Sequence, residues 1–505
     1  MLTIGRHITN GKQGRINPTE ADTNNEMFTR IKRVMANGIT IGDRHFEFLA
    51  FGNSQFREHG AYFFAPLPHL TAEGIRRWMG SFKDIKVIAK HAARLGQCFS
   101  TTRAIHGTKV ILVEIPDINR NGYCFTDGVG KISRFMAQLA ASELGATTPS
   151  GEPPSVFQFR IGGCKGVLAV WPDAKMREIH IRLSQYKFPA SHEGLEIIRW
   201  SQFTTASLNR QLILILSALG VPDDVFANKL KEQLSNLEQA MTDDKMALSL
   251  LQRQIDPNQM TLTLASMVLE GFQKAREPFM ISLLQLWRAW SIKYLKEKAK
   301  ILIDEGAFLL GCVDESGTLK GHFNRVKTPS SEASLQERIK ALPEIFVQIS
   351  KGPNGQAKVI EGPIVLARNP SLHPGDLRVV RGVDVPALHH LMDVVVMPQT
   401  GDRDISSMCS GGDLDGDDYL VMWDKDLLPD EWNLEPMDYT PPKPLELDRD
   451  VTTNDITSFF VTYMKNDTLR TIANNHQALA DFMDEGVKDQ KCKETSREYL
   501  RLHRH

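Results

Sequence analysis

The chain has 505 residues, of which 42% are hydrophobic and 24% are charged, a composition typical of a globular protein with about two to four domains. Its longest apolar run, near residues 212–221, is about half as long as a bilayer-spanning helix, and the N-terminus lacks a charged-then-apolar signal, so the sequence argues against export and membrane insertion. The six cysteines form no C-x-x-C pair, which favours a reduced, intracellular protein without a zinc cluster, in the nucleus or the cytoplasm.

The net charge of −1 conceals two regions of opposite sign. Residues 157–210 contain eight Lys or Arg and four Asp or Glu, a balance of +4, whereas residues 401–450 contain four bases and fifteen acids, a balance of −11. Regions of opposite charge can face each other across a polyanion and its metal ion. The alternative interpretation is that both regions are solvated surface.

The hydrophobic pattern predicts an α+β fold in five parts. Residues 1–108 are predicted to form an N-terminal α/β segment, and residues 109–191 a first β-rich region with short strands separated by Gly, Pro and Asp turns. Helical periodicity over residues 192–304 predicts a connector, after which short strands return over residues 305–435. Residues 436–505 are predicted to form a Pro-rich linker and a helical tail.

Aromatic residues recur at helical spacing within the predicted connector. Trp287, Trp290 and Tyr294 follow this spacing, which is more typical of a packed core than of a platform on which bases stack. We interpret the lysines at positions 293, 296, 298 and 300 as the solvated face of the same helix.

The stretch Asp413-Leu414-Asp415-Gly416-Asp417 places three carboxylates at alternate positions. In extended backbone alternate side chains point the same way, so Asp413, Asp415 and Asp417 are predicted to converge on one spot. Carboxylates held close together repel one another, and a hard divalent cation is the usual means of neutralising them. The stretch therefore predicts a Mg²⁺ site.

Two other interpretations of this acidic stretch are possible. A calcium-binding EF-hand loop would need Gly at its sixth position and a bidentate Glu at its twelfth, where this chain has Asp418 and Asp424. A solvated acidic turn is the other alternative. Gly411 and Gly412, which precede the stretch, favour a nucleic-acid site because residues without a Cβ would let a strand approach closely.

Two lysines of the first β-rich region are candidates for binding phosphate. Lys165 and Lys187 each lie at or after a predicted strand, and such groups can neutralise charge on a triphosphate. Taken alone, each lysine is more typical of a protein surface. The nearby segment 125–132 resembles a P-loop only faintly, since it has Phe125 in place of the first Gly and Ile132 in place of Ser or Thr.

Several motifs, in order along the chain, resemble the cellular RNA-dependent RNA polymerases of eukaryotic RNA silencing, particularly the fungal ones. The motifs are Glu47-Phe48-Leu49-Ala50-Phe51, Arg57-Glu58-His59, Ala93-Arg94-Leu95-Gly96-Gln97, Thr126-Asp127-Gly128-Val129-Gly130, Gly163-Cys164-Lys165-Gly166, Asn369-Pro370, His373-Pro374-Gly375-Asp376 and Cys409 through Asp417. The resemblance implies two double-psi β-barrels, at 109–191 and 305–435, joined by a helical connector. It also implies synthesis of double-stranded RNA on an RNA template from nucleoside triphosphates, with other RNA-silencing proteins as possible partners.

The resemblance also implies roles for individual residues. Asp413, Asp415 and Asp417 map onto the carboxylates that bind catalytic Mg²⁺ in a two-ion mechanism. Lys165 and Lys187 map onto the lysines that line the same site. Two arginines of the first barrel, Arg160 and Arg182, are predicted to contact RNA phosphates.

The chain departs from the family at its ends. It begins close to the part that resembles the family, and residues 494–505 no longer look like it, so the sequence predicts a truncated homologue. The alternative function is therefore a catalytically inactive homologue that binds RNA.

Overall fold

The computed structural model describes residues 21–146, 148, 151–253, 260–326, 332–350, 356–440, 442–466 and 468–503. Within these ranges, no helix is both long enough and apolar enough to span a bilayer.

The N-terminal segment is a small α/β unit closed by a helix from the other end of the chain. Its elements are α1 (Ala21–Asn37), β1 (Ile39–Ile41), β2 (Arg44–Ala50), α2 (Asn53–Arg57), β3 (Tyr62–Phe64), α3 (Ala72–Met79) and α4 (Ile88–Gln97). Thr71 caps the N-terminus of α3, because its Oγ1 accepts a hydrogen bond from the Gly74 N–H at 3.0 Å. Phe51 packs on Phe460 of a C-terminal helix, with ring centroids 5.2 Å apart.

The first sheet has seven strands and extends beyond the predicted range 109–191 at both ends. Its strands are β4 (Arg103–Ala104), β5 (Ile111–Glu114), β8 (Val129–Ile132), β9 (Val156–Ile161), β10 (Cys164–Val170), β11 (Glu178–Ile181) and β12 (Glu196–Trp200), in the order β4-β12-β9-β10-β8-β11-β5. A separate hairpin, β6 (Asn119–Arg120) and β7 (Tyr123–Cys124), precedes β8. Helix α5 (Arg134–Leu144) begins at Ser133 and ends at Gly145, where φ is +63°.

In its described residues, 192–253 and 260–304, the connector contains five helices, but its first part forms strands. The elements are β13 (Thr204–Ser207), α6 (Arg210–Ala218), α7 (Asp223–Gln239), α8 (Asp244–Arg253), α9 (Met260–Leu269) and α10 (Pro278–Lys298). The prediction of helix from residue 192 is wrong, because β12 pairs with β9 and β13 pairs with residues 302–308 of the second sheet. Apolar runs as short as these do not distinguish a strand from a helix by periodicity.

The second sheet closes into a barrel. Its elements are β14 (Leu302–Val313), α11 (Leu335–Ala341), β15 (Glu344–Ile349), β16 (Lys358–Val359), β17 (Gly362–Arg368), β18 (Arg378–Gly382), β19 (Val394–Met397), α12 (Ile405–Met408) and β20 (Asp418–Met422). Six strands pair in the cycle β14-β19-β15-β18-β17-β20, and β20 pairs back with β14. Three helices follow: α13 (Thr453–Lys465), α14 (Leu469–Phe482) and α15 (Gln490–His503).

The first sheet and the barrel share one hydrophobic core. Val156 and Val167 of the first sheet are fully buried in the same cluster as Val394 and Val396 of the barrel. An ion pair also joins the two parts, since the Arg182 guanidinium contacts both carboxylate oxygens of Glu315 at 2.9 and 3.0 Å. The two β-rich parts are therefore held in a fixed relation, and the acidic stretch lies at their boundary.

Candidate active site

The acidic loop, residues 413–417, lies between α12 and β20. Leu414 is buried in the shared core, and its N–H donates to the Asp127 carbonyl of the first sheet at 3.1 Å. The loop is bent, with φ of +128° at Gly416, and the Asp415 N–H donates to the Asp413 carboxylate at 3.1 Å. The prediction of extended backbone is therefore wrong: a local side-chain hydrogen bond and a glycine turn replace it.

Asp415 is paired with a lysine of the first sheet. The Lys165 Nζ lies 2.6 Å from Asp415 Oδ2. Burial alone would raise the pKa of Asp415, but the ammonium groups of Lys165 and Lys187 outweigh it and hold the pKa below its usual value. A second pair, Arg199 with Asp418 at 2.7 Å, joins the same two regions, so the basic and acidic segments meet directly. A polyanion between them stays a prediction.

Asp417 is paired with an arginine that the sequence did not reveal. Arg368 Nε lies 2.5 Å from Asp417 Oδ2 and Arg368 Nη2 lies 3.2 Å from Oδ1, a bidentate contact. Arg368 ends β17, where it is paired in register with Tyr419 of β20. Barrel closure therefore brings together two residues that are 49 positions apart in the sequence.

Asp413 has no cationic partner within the described residues. Its carbonyl accepts from the buried Tyr419 hydroxyl at 2.8 Å, which fixes the backbone of the loop. Burial raises the pKa of the Asp413 carboxyl, and the charges of Asp415 and Asp417 raise it further. The Asp413 carboxyl therefore favours its neutral form at neutral pH, and a further cation beside the loop would favour its ionised form.

Lys187 lies on the first-sheet side of the acidic loop, as predicted. It donates to the Ser184 carbonyl, and burial lowers its pKa while Asp127 opposes that shift. Arg94 of α4 lies in the field of the same loop. Burial lowers the pKa of Arg94, and the charge of Asp415 opposes that shift. Asp127 and Arg94 were named in the sequence only as parts of motifs, and no local pattern predicted their position.

Arg160 and Lys165 are direct neighbours across the β9–β10 pair. Burial lowers the pKa of Arg160, and the charge of Asp415 opposes that shift, which places the guanidinium in the field of the acidic loop. Like charges directly opposite one another on a sheet are destabilising unless an anion lies between them. Arg160 therefore remains a candidate for binding phosphate.

Arg182 is not available to RNA in this structure. It is 3% exposed, and besides its contacts with Glu315 it donates to the Pro116 and Val129 carbonyls at 3.0 and 2.8 Å. The prediction that it contacts phosphate is corrected, because its guanidinium is fully used in joining the two β-rich parts.

The two glycines before the acidic loop differ in their surroundings. A Cβ on Gly412 would lie 2.6 Å from both Arg368 Cδ and the Tyr419 hydroxyl, so close packing within the protein explains this glycine better than the approach of a nucleic acid. Gly411 has φ of +64° and lines a cavity of about 460 Å³. Asp127, Asp413 and Tyr499 of α15 line the same cavity.

Within the described residues, no group of three or more acidic, His or Cys side chains has the arrangement of a metal site. The donor chemistry nevertheless fits a divalent cation: three carboxylates lie within five residues, and oxygen ligands are those that Mg²⁺ prefers. Burial and the charges of Asp415 and Asp417 raise the pKa of Asp413, and a bound cation would offset that shift. The assignment of the three aspartates to metal stays a prediction.

Gly128 offers a test of how closely the two β-rich parts meet. A Cβ on Gly128 would lie 2.4 Å from Asp415 Cβ, and φ is +82°. Gly128→Ala is expected to lower the free energy of unfolding by about 1–3 kcal/mol more than Gly122→Ala, measured by urea denaturation. Gly122 is the matched control because its φ is +81° and nothing lies within 4 Å of its added Cβ. Equal losses of unfolding free energy in Gly128→Ala and Gly122→Ala would contradict the close approach of Gly128 to Asp415.

The sequence matches the model of the family described as RNA dependent RNA polymerase over residues 4–501. RNA-dependent RNA polymerase 1 of Schizosaccharomyces pombe is 41% identical over 490 residues, covering 93% of this chain and 39% of the relative. RNA-dependent RNA polymerase 1 of Arabidopsis thaliana is 41% identical over 464 residues, covering 90% of this chain and 39% of the relative. The chain thus spans 39% of the length of these two relatives.

A solved structure shares the fold. The RNA-dependent RNA polymerase QDE-1 from Thielavia terrestris superposes with a TM-score of 0.71 at 18% identity, covering 94% of this chain and 57% of the other. The predicted α+β fold with two β-barrels is confirmed. The family match includes residues 494–501, so the prediction that this stretch departs from the family is wrong. Taken together, the match along almost the whole sequence and the shared fold show that the chain belongs to the RNA-dependent RNA polymerase family.

Proposed function

We propose that this chain is the catalytic core of an RNA-dependent RNA polymerase that joins nucleoside triphosphates in the order of an RNA template. The observation that carries this proposal is the 2.6 Å contact between Lys165 of the first sheet and Asp415 of the barrel. This contact supports a site with the acidic loop on one side and cationic side chains on the other. A metal-bound triphosphate needs both kinds of group.

The acidic loop would hold the catalytic ions. We propose that Asp413, Asp415 and Asp417 bind Mg²⁺, which when bound supplies positive charge to the transferring phosphate and lowers the pKa of a coordinated hydroxyl. Arg368 and Tyr419 are positioning residues, because they fix the carboxylate of Asp417 and the backbone of Asp413. The loop is thereby preorganised before substrate arrives.

The cationic side of the site would receive the triphosphate. The 3′-hydroxyl of the growing RNA loses its proton to water, and its oxygen forms a bond to the α-phosphorus. The bond from that phosphorus to the oxygen that bridges to the β-phosphate breaks, and pyrophosphate leaves with that oxygen. Lys165 and Lys187 would offset the negative charge that builds up in this step, and Arg160 lies close enough to contribute. Template bases would be read by base pairing, so the protein contributes mainly backbone contacts and shape.

The biological setting is also part of the proposal. We propose that the double-stranded product serves RNA silencing, with other silencing proteins as partners. We further propose that the protein acts inside the cell, in the nucleus or the cytoplasm, where nucleoside triphosphates are available. Its six cysteines, all within the described residues, have free thiols, which suits a reducing compartment.

Metal dependence tests the proposal. Purified protein, an RNA template, labelled nucleoside triphosphates and Mg²⁺ should give labelled RNA, and a chelator in excess of Mg²⁺ should abolish the product. Adding back Mg²⁺ is the control for irreversible damage. Retention of RNA on a filter without any incorporation would instead support the inactive RNA-binding homologue, and incorporation that persists in chelator would contradict the metal assignment.

A further inference from the structure

Helix α10 of the connector carries an exposed aromatic pair. Met280, Leu284 and Leu295 bury one side of the helix, whereas Trp290 is 55% exposed. The Tyr294 ring lies 4.7 Å from the Trp290 ring at an interplanar angle of 86°, so it supports the indole from its edge. The prediction that this stripe is packed core is therefore wrong for Trp290, which presents its indole to solvent.

Two lysines converge on the same aromatic pair. Lys298 Nζ lies 5.1 Å and Lys300 Nζ 5.8 Å from the centroid of the Tyr294 ring. Neither ammonium forms an ion pair with any residue in the described ranges, and the two charges repel each other. Trp290, Tyr294, Lys298 and Lys300, which we call the connector patch, thus combine a free aromatic surface with positive charge that no protein group neutralises.

The connector patch is linked to the acidic loop through a short series of contacts. The Lys296 carbonyl of α10 accepts from Arg210 Nη2 at 3.0 Å. The neighbouring Asn209 donates to the Asn369 side-chain oxygen at 2.9 Å, and Asn369 follows Arg368, the partner of Asp417. The C-terminal end of α10, next to Lys298 and Lys300, is therefore joined through these contacts to the end of β17, where Arg368 holds Asp417.

We propose that the connector patch binds single-stranded RNA outside the catalytic loop, with a base stacked on Trp290 and phosphates held by Lys298 and Lys300. Positive charge beside an exposed aromatic ring matches the chemistry of a single strand, whose bases each offer a flat face and whose backbone is anionic. The choice of RNA as ligand rests on the proposed function, but binding at the patch does not require synthesis.

Stacking on Trp290 is tested by fluorescence anisotropy with the full chain and a fluorescein-labelled oligouridylate. Trp290→Ala should weaken binding roughly 5- to 100-fold, the range expected for loss of one base–aromatic stack. Trp78→Ala is the matched control, because Trp78 is 72% exposed on α3 and should have no effect. Binding of heparin, which has no bases, should be unchanged by Trp290→Ala.

The lysines are tested by the salt dependence of the same titration. Changing both Lys298 and Lys300 to Gln should reduce the slope of log K against log salt by about 1.4, because each phosphate contact on a single strand contributes about 0.7. Lys274→Gln, an exposed lysine elsewhere on the connector, is the control. This readout separates loss of charge contacts from a general loss of folding.

Unchanged affinity for RNA in Trp290→Ala and an unchanged salt slope in the double lysine variant would overturn the proposal. A change in oligomeric state with Trp290→Ala, measured by light scattering while RNA affinity stays constant, would overturn it in favour of contact with a second copy of the chain. Because these assays measure binding alone, an absence of nucleotide incorporation leaves their outcome interpretable, and the two proposals fail separately.

Discussion

Asp415→Ala should lower the rate of nucleotide incorporation roughly 100- to 1,000-fold while leaving RNA binding nearly unchanged. Asp415 is the point where the acidic loop meets the first sheet, through Lys165 at 2.6 Å and through the close approach of Gly128. Its removal takes away a proposed metal ligand, and loss of one group that stabilises charge in a transition state typically costs about 100- to 1,000-fold in rate. Single-turnover incorporation of labelled nucleotide measures the effect.

A surface aspartate gives the control for this prediction. Asp384 belongs to the barrel, and among the described residues its ion pair is with the exposed His389, so Asp384→Ala should keep full incorporation. A parallel filter-binding measurement separates catalysis from RNA affinity. If Asp415→Ala incorporates nucleotide as fast as Asp384→Ala, the acidic loop is not the catalytic centre.

Glu315→Leu should lower the free energy of unfolding by about 3–5 kcal/mol. The Glu315 side chain is 6% exposed and the Arg182 side chain 3%, so the substitution would leave a buried guanidinium without its carboxylate. Lys131, whose Nζ lies 3.4 Å from Glu315, would lose a second contact. The urea denaturation midpoint measures the effect, with the exposed Glu361→Gln as control.

A double variant distinguishes this ion pair from ordinary packing. Arg182→Met combined with Glu315→Leu should be more stable than Glu315→Leu alone, because replacing both members of a buried pair by apolar groups removes the uncompensated charge. The single variant Arg182→Met completes the comparison. If the loss of unfolding free energy in the double variant equals the sum of the losses in Arg182→Met and Glu315→Leu, the two side chains do not act as a pair.

Much of the fold follows from short-range pattern. β9, at 156–161, lies within the predicted β-rich region 109–191, and α5 is bounded by local signals, the Ser133 cap and the Gly145 terminator. The start of the connector was predicted to be helical, but it contains β12. This strand is specified by its pairing with β9, which the local sequence does not show. Long-range pairing is not visible in a short apolar run.

The candidate site was predicted in part for a similar reason. Asp415 and Asp417 were predicted from their alternate spacing, and the family resemblance added a role for Lys165; the functions of all three stay predictions. Arg368 was missed because only barrel closure brings it to Asp417. Arg182 was predicted to contact RNA because the sequence shows a basic residue beside a predicted strand. The sequence does not show that this side chain is buried against Glu315.

The central claim is that the chain reads an RNA template. An unprimed or primed template composed only of cytidylate, offered all four nucleoside triphosphates with one labelled at a time, tests it most directly. The proposal predicts incorporation of guanosine and no other nucleotide, with the product in a duplex that resists nucleases specific for single strands. Incorporation of all four nucleotides irrespective of template, or of none with Mg²⁺ present, would contradict it.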